Sequence, residues 1–174
     1  MMRKLLPIVA TSLILALSAG CSASAAPLNK IGTSPDGNEV KIETAAVKLV
    51  NAVQNGGYEL VKTDELNEWV QADEEMIIID TMPADFYSKG HIPSALNAVM
   101  PKTGLSDATN VEKDAFAALL GDDLDKKIVI YCGFTACGRS DAGASYAKEL
   151  GYTNVYRYPG GIIGWRNAEL AEEK

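Results

Sequence analysis

The sequence predicts an α/β fold of three layers, with a mainly parallel central sheet and helices on both faces. Two largely apolar runs, Met76–Ile79 and Lys127–Tyr131, are typical of strands buried on both sides. Segments in which apolar residues recur at helical spacing alternate with these strands along the chain. Such alternation produces parallel strands joined by helical crossovers that cover the sheet.

Residues 1–20 have the pattern of a secretory signal peptide. A short basic head precedes an almost wholly apolar run from Leu5 to Ala19, and small residues lead up to Cys21. An uncleaved anchor helix is the alternative, but the run is shorter than the ~20 apolar residues of a membrane span. The segment Leu17–Cys21 resembles a bacterial lipobox, although Ser18 stands where leucine is usual. The resemblance implies a lipid on Cys21 and an extracytoplasmic protein anchored to a bacterial membrane, on its periplasmic or cell-surface side.

Residues 21–43 are expected to form the lipidated N-terminus and a flexible tether, because Ala, Ser, Pro and Gly dominate there without a hydrophobic period. The predicted domain then covers residues 44–174. It begins with an extra helix over 44–56, which has apolar side chains at helical spacing and ends at a pair of glycines. Those apolar residues are Val47, Leu49, Val50 and Val53.

The elements of the domain follow in order. The first half is predicted to contain a strand at Tyr58–Val61, a helix at Asp64–Trp69 capped by Thr63, a strand at Met76–Ile79, a helix at Pro83–Ser88, a turn at Gly90–Pro93 and a strand at Leu96–Val99. The second half is predicted to contain a helix at Val111–Leu120, a strand at Lys127–Tyr131, a helix at Ser140–Leu150, a strand at Asn154–Tyr158 and a helix at Ile162–Ala168. The inward residues of the Val111–Leu120 helix are expected to be Val111, Ala115, Phe116, Leu119 and Leu120.

The composition argues against a nucleic-acid partner. The chain has 16 basic and 23 acidic residues, a formal net charge of −7, and no basic cluster in the predicted domain. Phosphate backbones require clustered Lys and Arg. If Cys21 carries a lipid, Cys132 and Cys137 remain, and they lie too close in sequence to stabilise a fold by closing a loop. With a single histidine they fall short of a zinc ligand set, so we expect no metal and no cofactor.

The segment that begins at Cys132 carries the candidate chemistry. It lies between a predicted strand and a predicted helix, where backbone N–H groups and the helix dipole form an anion cradle. A thiol in that cradle is drawn toward the thiolate, the nucleophilic form. The alternative is that Cys132 is a small buried residue at a strand end. The predicted anion-binding loop comprises Gly133, Phe134, Thr135, Ala136, Gly138, Arg139 and Ser140.

Five segments together resemble the signatures of a rhodanese-like domain, in the order that this family shows. They are Ile78–Thr81, Gly90–Ala95, Val129–Cys132, Arg139–Ser140 and Tyr158–Trp165. The resemblance spans Tyr58 to about Leu170. It implies a small α/β domain with sulfurtransferase activity, in which Cys132 accepts a sulfane sulfur as a persulfide and passes it to a thiol or protein acceptor.

Two features depart from the family pattern. The usual sulfurtransferase loop has four residues between the cysteine and the arginine, and the phosphatase and arsenate-reductase branch has five. Here six residues separate Cys132 from Arg139, so the loop should hold a larger group or hold a sulfur less tightly. Met82 stands where the family commonly has an arginine, two residues after Asp80. These departures argue against efficient turnover of thiosulfate itself.

Cys137 lies within the same loop and has two interpretations. It is either a resolving thiol that attacks an adduct on Cys132 or a spectator that fills the loop. A resolving thiol favours a second hypothesis, in which the Cys132/Cys137 pair reduces an oxyanion such as arsenate or selenite. A phosphatase is a weaker option, because Tyr131 stands where such enzymes usually carry histidine. A non-catalytic redox docking module is the remaining alternative.

Three further residues are expected to have structural roles. His91 is the only histidine, and its place in the Gly-His-Ile-Pro turn favours a hydrogen-bonding role over that of a general base. Asp80, at a strand end, is expected to fix a neighbouring loop. Trp165 is expected to anchor the core.

Overall fold

The computed structural model describes residues 38–174. The predictions for the signal peptide, for lipidation of Cys21 and for most of the tether fall on residues 1–37 and lie outside that range. Within residues 38–174, no helix combines the length and apolar composition that a bilayer span requires. The strands are β1 (Glu59–Leu60), β2 (Met76–Asp80), β3 (Leu96–Asn97), β4 (Lys127–Tyr131) and β5 (Val155–Tyr158). The helices are α1 (Glu39–Gly56), α2 (Thr63–Gln71), α3 (Ala84–Tyr87), α4 (Asn110–Ala117), α5 (Arg139–Glu149) and α6 (Gly161–Asn167).

The five strands form one parallel sheet in the order β1-β5-β4-β2-β3. Its register pairs Ile79 with Ile130, and Ile130 with Arg157. The predicted fold class is therefore confirmed. Because all strands run the same way, the residues that follow β2, β4 and β5 meet at one edge of the sheet, where open α/β sheets bind ligands.

Each face of the sheet has its own hydrophobic core. Alternate residues of a strand point to opposite faces, so β4 contributes Ile128 and Ile130 to one core and Val129 and Tyr131 to the other. Alanines of α5 and Phe116 of α4 complete the first core. The second core is completed by residues of α2 and α6, including Leu66, Ile162 and Trp165. The indole of Trp165 donates to the Ala171 carbonyl at 2.7 Å, consistent with the expected anchor.

Helix α1 differs from its prediction in extent and in burial. It begins at Glu39, ahead of the predicted start at residue 44, so the last residues of the expected tether are helical. It has no fully buried residue, and Val47 and Val50 are each 54% exposed. Leu49 and Val53 are only partly buried. The helical spacing thus predicted the element but overstated its hydrophobic contact.

Two further local predictions are wrong. The Val111 side chain is 78% exposed, and Ala115 is also exposed, whereas Phe116 and Leu120 are buried. Helix α4 starts one residue earlier because Thr109 and Glu112 form a capping box. Val111 lies about 140° around the helix from the buried Phe116, so it faces solvent. Thr63 is not a helix cap, since Lys62 holds that position and the Thr63 hydroxyl bonds to the Tyr158 hydroxyl at 2.9 Å.

Candidate active site

Cys132 lies directly after β4, and its residue is only 1% exposed. The polypeptide curls from Cys132 to the start of α5, and this curl brings Ser140 back to the thiol. The Ser140 hydroxyl lies 3.1 Å from Cys132 Sγ, and the Ser140 backbone N–H also donates to that sulfur. The sequence therefore places the sulfur at the first turn of a helix, in the position expected for it.

The first half of the loop is fixed by the backbone of α6. The N–H groups of Ile162 and Ile163 donate to the carbonyls of Cys132 and Gly133, at 2.9 and 3.0 Å. Gly161 has a φ of +59°, and a Cβ there would lie 2.6 Å from the carbonyl carbon of Gly133 and overlap the Cys132 carbonyl oxygen. A residue without a side chain is thus required for this close approach.

The second half of the loop is fixed by side chains. Lys48 of α1 donates to the Ala136 carbonyl at 3.1 Å. Arg157 of β5 donates to the carbonyls of Thr135 and Cys137, at 3.3 and 2.9 Å.

Arg139 has a different position from the one expected of an anion-steering residue. Its guanidinium donates to the Met100 carbonyl, which lies outside the loop. Its charge and its backbone N–H act on Cys137, where both lower the pKa of the thiol.

The two cysteines of the loop are free thiols, and each shifts the pKa of the other. A hydrogen bond from Cys132 is the largest cause that lowers the pKa of Cys137, to about 5, and N–H groups of Arg139 and Gly133 add to it. The same contact, followed by burial, raises the pKa of Cys132. The pair therefore favours loss of the proton from Cys137 over loss of the proton from Cys132.

This distribution differs from the expectation that Cys132 is the more acidic thiol. The loop does supply amides to a sulfur anion, but two of them, from Gly133 and Arg139, point to Cys137. Cys137 is also the less buried of the two sulfurs. The side chain of Cys137 thus fills the cradle that was predicted to receive a substrate group.

A pocket of about 260 Å³ opens beside the first half of the loop. Its wall is mainly apolar, and the Lys89 ammonium and the Arg166 guanidinium contribute positive charge. Arg166 is held by two hydrogen bonds of 2.8 Å to Glu172. The residues that define the shape of the pocket include Met82, Phe86, Phe134 and Ile163.

The other predicted loop residues have unequal exposure. Gly133 and Gly138 are buried, Thr135 is half-buried, and Ala136 and Phe134 are exposed, the latter at 55%. Met82, which stands in place of the expected arginine, lies 3.6 Å from the position of a Cβ on Gly133. A flexible apolar side chain therefore borders the loop where the family commonly has a cation.

His91 and Asp80 have positions consistent with structural roles. The His91 ring stacks on Tyr87 at a centroid distance of 3.9 Å, and its Nδ1 lies 3.2 Å from the Tyr87 carbonyl. Asp80 accepts the N–H of Met82 at 2.8 Å and a hydrogen bond from Tyr131, and burial raises the pKa of its carboxyl. Both side chains order the segments that follow β2.

The sequence analysis missed a polar network beneath the loop. Arg157 is 2% exposed, and its Nε donates to the Ser140 hydroxyl at 2.9 Å. Its Nη1 donates to the Tyr58 hydroxyl at 3.2 Å, which in turn donates to Asp141 at 2.8 Å. One signal was available: Arg157 lies within a predicted strand of a sheet expected to carry helices on both faces, and a charge buried there needs partners, because an unpaired buried charge is costly.

Comparisons with known proteins agree with this architecture. The tRNA uridine(34) hydroxylase of Erwinia tasmaniensis is 33% identical over 103 residues, which are 59% of this chain and 27% of that protein. The chain spans less than half the length of the curated relatives it matches. The BH2092 protein of Bacillus halodurans superposes with a TM-score of 0.53 at 27% identity, over 67% of this chain and 76% of that chain.

A further likeness concerns the fold alone. Thiosulfate sulfurtransferase of Pseudomonas aeruginosa superposes with a TM-score of 0.57 at 20% identity, over 74% of this chain and 22% of that chain. The family model of the rhodanese-like domain matches residues 62–168, which include four of the five strands, the whole Cys132 loop and α6. The protein therefore belongs to the rhodanese-like domain family.

Proposed function

We propose that the protein is a sulfurtransferase that carries sulfane sulfur as a persulfide on Cys132. The observation that carries the proposal is the contact between Cys132, at the end of β4, and the hydroxyl and N–H of Ser140 at the start of α5. Both groups donate to a sulfur anion at this position. Charge-assisted hydrogen bonds of this kind stabilise a thiolate or a persulfide.

Cys137 supplies the proton acceptor in this proposal. Transfer of the Cys132 proton to the Cys137 thiolate generates the Cys132 thiolate. This transfer opposes the pKa order of the two thiols, so it requires the stabilisation that the Ser140 hydroxyl and N–H give to the Cys132 anion. The Cys137 side chain must then leave the cradle, because Cys132 is otherwise buried and the Gly133 and Arg139 amides are occupied. Those amides become available to the outer sulfur of the persulfide.

The reaction requires no external oxidant or reductant. The Cys132 thiolate attacks a sulfane sulfur of a polysulfide, a bond between Cys132 Sγ and that sulfur forms, and the donor S–S bond breaks. The shortened polysulfide leaves with the electron pair. An acceptor thiolate then attacks the outer sulfur, and Cys132 departs as a thiolate.

The pocket beside the loop supports a small anionic donor with apolar character. Lys89 contributes positive charge, Arg166 is paired with Glu172, and Asp80 also lines the pocket, while Phe86, Phe134 and Ile163 provide apolar contact. An RNA substrate, as the name of the Erwinia relative indicates for that protein, is not supported for this chain. Its net charge of −7 opposes binding to a phosphate backbone.

A transfer assay with polysulfide as donor and a small thiol as acceptor tests the proposal. We expect Cys132→Ser to abolish transfer, because a hydroxyl cannot form the persulfide. Cys137→Ser should slow the reaction without abolishing it, since water can take over proton transfer. Full activity of Cys132→Ser, with the variant shown to be folded, would refute the proposal.

The mutual effect of the two thiols on their pKa values favours a second candidate, reduction of an oxyanion such as selenite or arsenate. An adduct on Cys132 would be attacked by Cys137, which yields a Cys132–Cys137 disulfide and a product reduced by two electrons. A dithiol reductant must then reopen the disulfide. Here Cys137→Ser should permit a first adduct but no second turnover, and steady-state reduction by that variant would exclude this candidate.

We further propose that the protein is exported and anchored to a bacterial membrane through a lipid on Cys21. The signal-like residues 1–20 and the lipobox-like sequence before Cys21 support this proposal. Metabolic labelling with an alkyne fatty acid should modify the full chain and not Cys21→Ala. Equal labelling of both chains would contradict it.

A further inference from the structure

Arg157 is a buried cation that forms no ion pair with any carboxylate among residues 38–174. Its neighbours are neutral acceptors: a serine hydroxyl, a tyrosine hydroxyl and two backbone carbonyls of the Cys132 loop. The carboxylate of Asp141 is reached only through Tyr58. A buried guanidinium without a direct counter-ion is costly, so its place in the fold requires an explanation.

The hydrogen bond to Ser140 gives Arg157 a directional effect on the sulfur. A serine hydroxyl has one hydrogen to donate and two lone pairs to accept with. Since Arg157 Nε can only donate, the Ser140 oxygen accepts from it at 2.9 Å and keeps its own hydrogen for another partner. Cys132 Sγ lies 3.1 Å away and is that partner.

One of the two carbonyls held by Arg157 borders the same sulfur. The Cys137 carbonyl accepts from Arg157 Nη2 at 2.9 Å and lies 3.6 Å from Cys132 Sγ. A carbonyl oxygen repels an anionic sulfur unless its partial charge is compensated. Arg157 provides that compensation. It also holds the Thr135 carbonyl and so fixes the second half of the loop.

We propose that Arg157 is a positioning residue that orients the Ser140 hydroxyl toward Cys132 Sγ and neutralises the loop carbonyls around it. The inference rests on the proposed role of Cys132 as the sulfur carrier. Arg157 reaches the site from β5, beneath the loop, and not from the loop itself. Anionic sulfur on Cys132 thereby supplies the counter-charge that the buried guanidinium lacks.

Other charged groups near the site have separate partners. The Arg139 guanidinium donates to the Met100 carbonyl, Lys48 donates to the Ala136 carbonyl, and Asp141 accepts from Tyr58. Burial raises the pKa of Tyr58, so this phenol stays neutral between Arg157 and Asp141. Cys137 is the titratable group that shifts the pKa of Cys132 most, and it is removed in the test.

The test measures the pH dependence of Cys132 alkylation by iodoacetamide in the full chain carrying Cys137→Ala, with peptide mapping to assign the label. We expect Arg157→Met to raise the midpoint by about one pH unit, which lowers the labelling rate at pH 7 about tenfold. Arg157→Lys keeps the positive charge but lacks the several donors of a guanidinium, so its midpoint should fall between those of the chain with Arg157 and of Arg157→Met. Lys148→Met, which removes a cation that donates to the Thr153 carbonyl, is the matched control and should not move the midpoint.

A second comparison isolates the route through Ser140. In a Ser140→Ala background the midpoint shift caused by Arg157→Lys should shrink, because the hydroxyl that connects Arg157 to Cys132 Sγ is already absent. An unchanged midpoint in both folded Arg157 variants would overturn the proposal, as would an equal shift with and without Ser140. Should Arg157→Met fail to fold, the shifts caused by Arg157→Lys with and without Ser140 decide the test alone. No sulfur donor enters this test, so its failure differs from loss of transfer in Cys132→Ser.

Discussion

The two halves of the Cys132 loop are held by different kinds of interaction. Cys132 and Gly133 are bound by backbone N–H groups of α6, across a contact that excludes any side chain at Gly161. The segment from Thr135 to Cys137 is bound instead by the side chains of Lys48 and Arg157. The first half is therefore part of the rigid fold, whereas the second half depends on single residues that substitution can remove. In our proposal the persulfide forms on the first half and the second half moves.

The largest effect is expected from a substitution that disrupts the first half of the loop, which the backbone of α6 holds. A positive φ costs a residue with a side chain about 1–3 kcal/mol. Gly161→Ala should lower the free energy of unfolding by more than this, because the added Cβ would also overlap the Cys132 carbonyl. Urea unfolding measures the loss. Gly57→Ala is the control, since Gly57 has a φ of +65° with open space around it and should lose only the conformational part. Equal losses would show that the close contact with the loop is unimportant.

A smaller effect concerns the thiolate in the second half. The hydrogen bond from Cys132 is the largest cause that lowers the pKa of Cys137 to about 5, so Cys132→Ala should raise that pKa. Because the thiolate exists only above its pKa, Cys137 in the unaltered chain should alkylate down to about pH 5, and in the variant only at higher pH. Mapped iodoacetamide labelling across pH gives the midpoint. Cys132→Ser retains a donor and should shift it less, while identical midpoints in all three chains would refute the assignment.

The smallest expected effect comes from the exposed contact of the second half. Lys48→Met removes the 3.1 Å hydrogen bond to the Ala136 carbonyl, and a solvent-exposed bond of this kind contributes less than about 1 kcal/mol. The midpoint of urea unfolding should fall slightly, with the slope unchanged. Lys41→Met, on the same helix, serves as the control. A loss well above that of an exposed hydrogen bond would mean that α1 supports the loop more strongly than its burial indicates.

The same contrast separates what the sequence predicted from what it did not. β4 was predicted with its observed bounds and α5 to within one residue at each end, because their apolar period and flanking glycines are local signals. The curl after Cys132 follows from those two elements. Arg157 and Tyr58 were missed because their partners, which include Thr135 for Arg157 and Asp141 for Tyr58, lie far away in the sequence.

The relative acidity of the two thiols also could not be predicted from local sequence patterns. The sequence places both cysteines in one anion-binding loop, but which sulfur the amides of Gly133 and Arg139 reach depends on the path of the intervening residues. The inward face of α4 was predicted wrongly for a related reason, since helical spacing does not say which side of the helix packs on the core, and Phe116 and Leu120 are buried whereas Val111 is exposed.

The most direct test of the central claim is intact mass measurement of the reduced full chain after exposure to polysulfide, with mapping of the added mass. The account predicts one sulfur atom on Cys132 in the unaltered chain and in Cys137→Ser, none in Cys132→Ser, and release of that sulfur to an acceptor thiol. Sulfur that maps to Cys137 alone, or a Cys132–Cys137 disulfide without added sulfur, would contradict the persulfide carrier.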